Sequence, residues 1–131
     1  MSATLLRYVA ADPERESDRP EGVFAAAYDI LHRDVSPAYL QAEIRKTLDW
    51  FVRELPIPDR FVSSRKAHRA DTGLCWFKSD SVDCIRNVRY LVHLVVECGI
   101  PVREIRTNSP GYVIYEDDHQ VVAKPTADTP R

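Results

Sequence analysis

Two short runs, Gly73-Leu74-Cys75-Trp76-Phe77-Lys78 and Val102-Arg103-Glu104-Ile105-Arg106-Thr107, bracket a long apolar stretch, and the three together decide the fold. The first run is apolar with little alternation, as in a strand buried on both faces. The second alternates apolar and polar residues, as in a half-buried strand. Between them, a helix is expected from Ser79 or Asp80, which would cap it, to about Cys98, with Gly99 placed to stop it. Val82, Ile85, Val88, Leu91, Val92, Val95 and Val96 spread over a wide arc of that helix. Only Asp83, Arg86, Tyr90, His93 and Glu97 form a clean polar strip, so the helix needs cover on more than one side. Strand, helix, strand in this order is a βαβ unit, with its two strands parallel.

Downstream, Asn108-Ser109-Pro110-Gly111 has turn chemistry. Tyr112-Val113-Ile114-Tyr115-Glu116 and His119-Gln120-Val121-Val122-Ala123 then read as a hairpin around Asp117-Asp118. That two-residue loop sets Glu116 opposite His119. It puts Tyr112, Ile114, Glu116, His119, Val121 and Ala123 on one face, and Val113, Tyr115, Gln120, Val122 and Lys124 on the other. Both faces are substantially apolar, so each needs a cover. Residues 125–131 are expected to fray.

Upstream, a helix is expected from Pro37 to Leu55. Ser36 would cap it, and Pro37 would take the first helical position, where a missing N–H costs nothing. Leu40, Ile44, Leu48, Phe51 and Leu55 make its apolar stripe, while Tyr39 and Trp50 fall off it. Pro56-Ile57-Pro58 ends it. Thr4 to Val9 reads as a short strand, residues 10–22 as a flexible solvated loop, and Val23 to Arg33 as a helix. The expectation is one α+β domain spanning 1–131. It is a small mixed sheet with a βαβ unit followed by a β-hairpin, packed by two to three helices.

Composition bounds the function. With 131 residues the chain suits one domain, and 44% hydrophobic with 29% charged residues is ordinary for a globular protein. A net charge of −2 argues against a protein built around nucleic acid. Cys75, Cys84 and Cys98 contain no C-x-x-C pair and read as small buried apolar residues rather than a disulfide framework. The N-terminus lacks the layout of a signal peptide and no apolar run reaches the ~18 residues of a membrane span, so a cytoplasmic protein without membrane contact is expected.

The densest functional hint is the stretch from Asp59 to Thr72, which has little periodicity. Arg60, Arg65, Lys66 and Arg69 lie there with His68, Ser63 and Ser64. Guanidinium groups and hydroxyls are what a phosphate or carboxylate ligand needs. Lys78 ends the following strand, where the next helix begins and offers free N–H groups. The bland alternative is a solvated basic loop. Glu116 and His119 are the candidate acid–base pair, because a carboxylate beside an imidazole orients it and raises its pKa. Their bland alternative is an exposed cross-strand pair at a hairpin tip. No H-x-x-x-H or C-x-x-C spacing supports a metal site, and no P-loop or dinucleotide fingerprint supports a cofactor.

Residues 48–125 resemble a family of short, uncharacterised bacterial proteins. The resemblance rests on Trp50-Phe51, Pro58-x-Arg60-Phe61, Trp76-Phe77-Lys78, Gly111-Tyr112-Val113-Ile114-Tyr115-Glu116-Asp117 and Gln120-Val121-Val122-Ala123-x-Pro125. It implies a bacterial source and singles out Arg60, Lys78, Tyr112, Tyr115, Glu116, Asp117 and Gln120. Tyr112 and Tyr115 thereby join the ligand-binding set. The leading expectation is a homodimeric binding or regulatory module for an anionic ligand or partner. The alternatives are an enzyme acting on a phosphate- or carboxylate-bearing small molecule, with Glu116 as acid–base, and a structural subunit of a complex.

Overall fold

The computed structural model describes residues 4–10, 21–55 and 74–130. In chain order the elements are β1 (Leu5–Ala10), β2 (Glu21–Gly22), α1 (Val23–Arg33), α2 (Ala38–Glu54), β3 (Leu74–Lys78), α3 (Val82–Glu97), β4 (Val102–Thr107), β5 (Tyr112–Glu116) and β6 (Gln120–Lys124). The fold is α+β, with three described helices packed on one sheet.

The βαβ unit is present, with another strand between its two arms. β1 pairs antiparallel with β3 through Leu5–Lys78 and Leu6–Phe77, and with β4 from Leu5–Thr107 to Ala10–Val102. Since Leu5 and Leu6 face both partners, β3 and β4 flank β1, and they run parallel to each other. Every described ladder is therefore antiparallel, whereas the sequence suggested a mixed sheet. The cause is β1, the N-terminal strand, which fills the gap between the two arms and satisfies both edges. β6 continues the sheet beyond β3, and β5 closes it beyond β6. The two-residue β2 shares the β3 edge of β1, opposite Val9 and Ala10.

Alternation along these strands sorts the side chains into two layers. Leu6, Tyr8, Ala10 and Phe77 meet the helices. Leu5, Val9, Trp76, Ile105, Val121 and Ala123 form a second buried cluster on the opposite face. All of these positions are buried; within the hairpin Val121 and Ala123 are covered, whereas Tyr112 and Val113 are exposed.

The helices follow their apolar stripes. Leu40, Ile44, Leu48 and Phe51 of α2 are buried, with Leu55 just beyond its end. The Phe51 ring meets Phe24 edge-on at 4.9 Å and lies 5.9 Å from Phe77, joining two helices to the sheet. Burying each such ring stabilises the fold by roughly 1.5–3 kcal/mol. Trp50 packs edge-on against Phe51 at 5.0 Å, so the off-stripe tryptophan still reaches the core. In α3, Val88, Leu91 and Val95 are fully buried between the sheet and the other helices.

Helix ends differ from expectation by one or two residues. Pro37, not Ser36, stands at the cap of α2, and the Ser36 carbonyl accepts a hydrogen bond from the Gln41 side chain. Ser81, not Ser79 or Asp80, stands at the cap of α3. Gly99, at φ +92°, ends α3 as expected, its N–H donating to the Val96 carbonyl.

Two segments expected to be loose carry structure at their described parts. Ala10 and Glu21–Gly22, the borders of the 10–22 loop, pair with each other, and residues 11–20 lie outside the described residues. In the tail, the Thr126 N–H donates to Thr129 Oγ1, and that hydroxyl donates to the Pro110 carbonyl. Thr129 is buried, so the tail through Pro130 turns back rather than fraying. The same corner needs Gly111, at φ +110°, because a Cβ there would clash with the Lys124 carbonyl.

Candidate functional site

Of the candidate residues that the structure describes, Lys78, Glu116, His119 and Tyr115 lie at one end of the sheet, where β3 hands over to α3 beside the β5–β6 turn, whereas Tyr112 lies at the far end of the hairpin, across from Lys124. Lys78 stands across from Leu5, and Glu116 across from Val121, so both project from the face opposite the helices. Lys78 Nζ donates to Glu116 Oε2 at 2.6 Å. The lysine side chain is 19% exposed and the glutamate 54%. The pair is therefore open to solvent on the carboxylate side, and such a pair stabilises by only about 0–1 kcal/mol.

The hairpin register departs from the sequence reading. Glu116 opposes Val121, not His119, and the irregularity between Val113 and Tyr115 makes Ile114 an extra residue. Val113 consequently shares a face with Ala123, and Tyr112 with Lys124, the reverse of the expected assignment. The turn residues are Asp118 and His119, closed by the Asp117 N–H donating to the Gln120 carbonyl. Asp117 causes the shift. Its Oδ1 accepts the N–H groups of His119 and Gln120 at 2.8 and 2.9 Å, as an aspartate at the start of a turn does.

The expected Glu116–His119 acid–base pair is accordingly not formed. Glu116 pairs with Lys78, and His119 Nδ1 lies 2.8 Å from Ser81 Oγ. The tautomer of His119 decides which of the two donates. Ser81 is buried and spends its hydroxyl on this imidazole, so no side chain caps α3. The Lys78 N–H donates to the His119 carbonyl at 2.9 Å, which fixes the turn against the end of β3. Sequence reasoning missed Ser81, because three possible caps in a row, Ser79, Asp80 and Ser81, look alike in one dimension.

Behind this open edge is a closed polar network facing the helices. Asp117 Oδ2 accepts the Tyr115 hydroxyl at 2.9 Å and the Gln120 amide at 3.0 Å. The Gln120 Oε1 accepts the Cys75 thiol at 3.1 Å. Burial alone would raise the Asp117 pKa. The hydrogen bonds from Gln120, the His119 N–H and Tyr115 outweigh it and hold the carboxyl below the ordinary aspartate range. Burial, aided by the nearby Asp117 charge, pushes the Cys75 thiol up to about 12, so it is no nucleophile at neutral pH. Tyr115, Asp117 and Gln120 were singled out by the sequence pattern, and here they share one network. Tyr115 thereby has its hydroxyl committed inside the fold, whereas Tyr112 is 69% exposed.

Arg60, Arg65, Lys66 and Arg69 lie outside the described residues. Among the described residues no group of three His, Cys, Asp or Glu side chains could hold a metal ion, and no helix is long and apolar enough to cross a membrane.

A second charged cluster lies away from this end, on the helix-facing side of edge strand β4. Glu104 Oε1 accepts the Tyr8 hydroxyl at 2.6 Å, and Oε2 accepts Arg106 Nε at 2.7 Å. Arg89 of α3 reaches both Tyr8 and Glu104. The Tyr8 hydrogen bond is the largest cause holding the Glu104 carboxyl below its ordinary range. Partial burial opposes it, and Arg106 adds to it.

No family model, no curated protein and no solved structure matches the chain. The chemistry of the Lys78 end therefore carries the functional reading.

Proposed function

We propose that the chain is a non-catalytic binding module that takes an anionic ligand, or an anionic group of a partner, at Lys78. One observation carries the reading. The Lys78 ammonium already holds a carboxylate, that of Glu116, and this carboxylate is exposed and weakly held. Glu116 thus stands where an external carboxylate or phosphate would bind, at little cost to displace. The first turn of α3, which no side chain caps, follows Lys78 in the chain and in this proposal adds N–H donors. In this proposal Arg60, Arg65, Lys66 and Arg69 supply further positive charge, while Tyr112, exposed at the far end of the hairpin, takes no part at Lys78. The module works as a homodimer in the bacterial cytoplasm.

The test is a thermal-shift screen against nucleotides, sugar phosphates, di- and tricarboxylates and short oligonucleotides. A ligand at 100 times its Kd adds about 2.7 kcal/mol, hence a rise of several degrees in Tm. One anion class should raise the Tm of the wild type but not of Lys78→Ala. It should act at lower concentration on Glu116→Gln, which lacks the internal competitor. A flat response across the panel would contradict the reading and favour a structural subunit.

The exposure of the Glu116 carboxylate beside Lys78 favours a second reading, an enzyme acting on a phosphate- or carboxylate-bearing small molecule with Glu116 as acid–base. The two separate on one variant. Glu116→Gln abolishes turnover in the enzyme and tightens binding in the module.

A further inference from the structure

We infer that two copies of the chain join through their β4 edges, in the register that centres Ile105 on the two-fold axis. The inference rests on the homodimer part of the proposed function and is independent of the anion site. Among the described residues β4 has one neighbour, β1, and its other edge meets no described strand. Arg103, Glu104 and Arg106 of this strand are exposed. Charges on an edge strand usually deter pairing. Here their signs alternate in a way that suits a second copy.

Only some registers are open to an antiparallel pair of identical edges in one continuous sheet. Opposed residues must share a face, so the two opposed residue numbers must differ by an even amount. Centring on Glu104 sets glutamate against glutamate. Centring on Arg103 or on Arg106 sets arginine against arginine. Centring on Ile105 sets Glu104 against Arg106 of the partner subunit, twice, and Ile105 against the partner's Ile105. Within one chain Arg106 Nε already donates to Glu104 Oε2 at 2.7 Å. The four side chains then form a square of alternating sign on the helix-facing side, each charge between two opposite ones. On the other face Ile105, part of the buried Trp76 cluster, meets its own copy. Opposite charges directly across strands attract and like charges repel, so the sequence of this edge selects one register of the four.

An edge of six residues is smaller than the roughly 1,200–2,000 Å² of a standard stable interface, so a concentration-dependent dimer is expected. Sedimentation equilibrium on the full chain tests it. The wild type should move from 15.0 kDa toward about twice that mass as concentration rises into the hundreds of micromolar. Arg106→Glu and Glu104→Arg, each checked for folding by circular dichroism, should each dimerise about tenfold more weakly or worse. An equimolar mixture of the two should recover the dimer, because each then supplies the charge the other lacks. Should Arg106→Glu fail to fold, Arg106→Gln removes the attraction without adding repulsion, and weaker dimerisation is again expected. A wild type that stays monomeric overturns both the edge and the homodimer. A dimer that is unchanged in the folded variants overturns the edge and leaves the homodimer standing.

Discussion

Two neighbouring carboxylates at the end of β5 are held in opposite ways. Asp117 accepts four hydrogen bonds, two from backbone N–H groups and one each from Tyr115 and Gln120. Glu116 accepts one, from Lys78, and is half in solvent. The first is closed: every donor comes from the fold and none is left for a ligand. The second is open: its one partner is the Lys78 ammonium, and the carboxylate faces solvent. Charge alone does not separate the two, and neither does position, since they are adjacent in sequence. The number and origin of the donors separates them. That difference assigns turn geometry to Asp117 and is the basis on which exchangeable binding is proposed for the Lys78 end.

The largest expected effect comes from breaking the closed half. Asp117→Ala removes the acceptor of two turn N–H groups, of the Tyr115 hydroxyl and of one hydrogen bond from the Gln120 amide. A loss of about 2–3 kcal/mol in urea-unfolding free energy is expected. A loss near zero would mean that the turn does not depend on the carboxylate.

The same group sets a pH dependence. Its folded pKa is depressed, so its contribution is present above the ordinary aspartate range and is lost as pH falls through the folded value. Urea midpoints measured from pH 7 downward should fall in the wild type. They should fall less steeply in Asp117→Asn, with Glu104, also depressed, supplying part of the remaining slope.

Gln120→Ala removes a bridge between Cys75 and Asp117 but leaves the two turn N–H bonds. A loss of about 1–2 kcal/mol is expected from the same unfolding measurement. A loss matching that of Asp117→Ala would show that the side-chain bridge, not the N–H groups, fixes the turn.

The smallest effect is expected at the open half. Lys78→Ala and Glu116→Gln should each change stability by no more than about 1 kcal/mol. A larger loss in either would remove the contrast, because the pair would then be structural.

Much of the fold was legible in the sequence because apolar periodicity reports burial directly. The α2 stripe, the Gly99 stop and most of the α3 arc appear as read, although Val82 and Val96 of that arc are exposed. β4 does not alternate, since Val102 and Ile105 lie on opposite faces and Arg103 and Glu104 are both exposed. The insertion of β1 between β3 and β4 was not legible. Strand neighbours far apart in sequence leave no local mark, and β1 alone carries no sign of its partners. The hairpin register was missed because Asp117 can either occupy the loop or precede it, and only its side-chain hydrogen bonds decide. Of the candidate site, Lys78 and Glu116 were both named from sequence. Their pairing, and that of His119 with Ser81, depends on the register and so emerged only in three dimensions.

The most direct measurement is an NMR titration of ¹⁵N-labelled wild type, Lys78→Ala and Glu116→Gln with inorganic phosphate and with citrate. If the Lys78–Glu116 pair opens to external anions, the amides of residues 78–81 and 116–119 shift and saturate in the wild type. Saturation then comes at lower concentration in Glu116→Gln and is lost in Lys78→Ala. Shifts that never saturate, or that persist unchanged in Lys78→Ala, would contradict an anion site at this lysine.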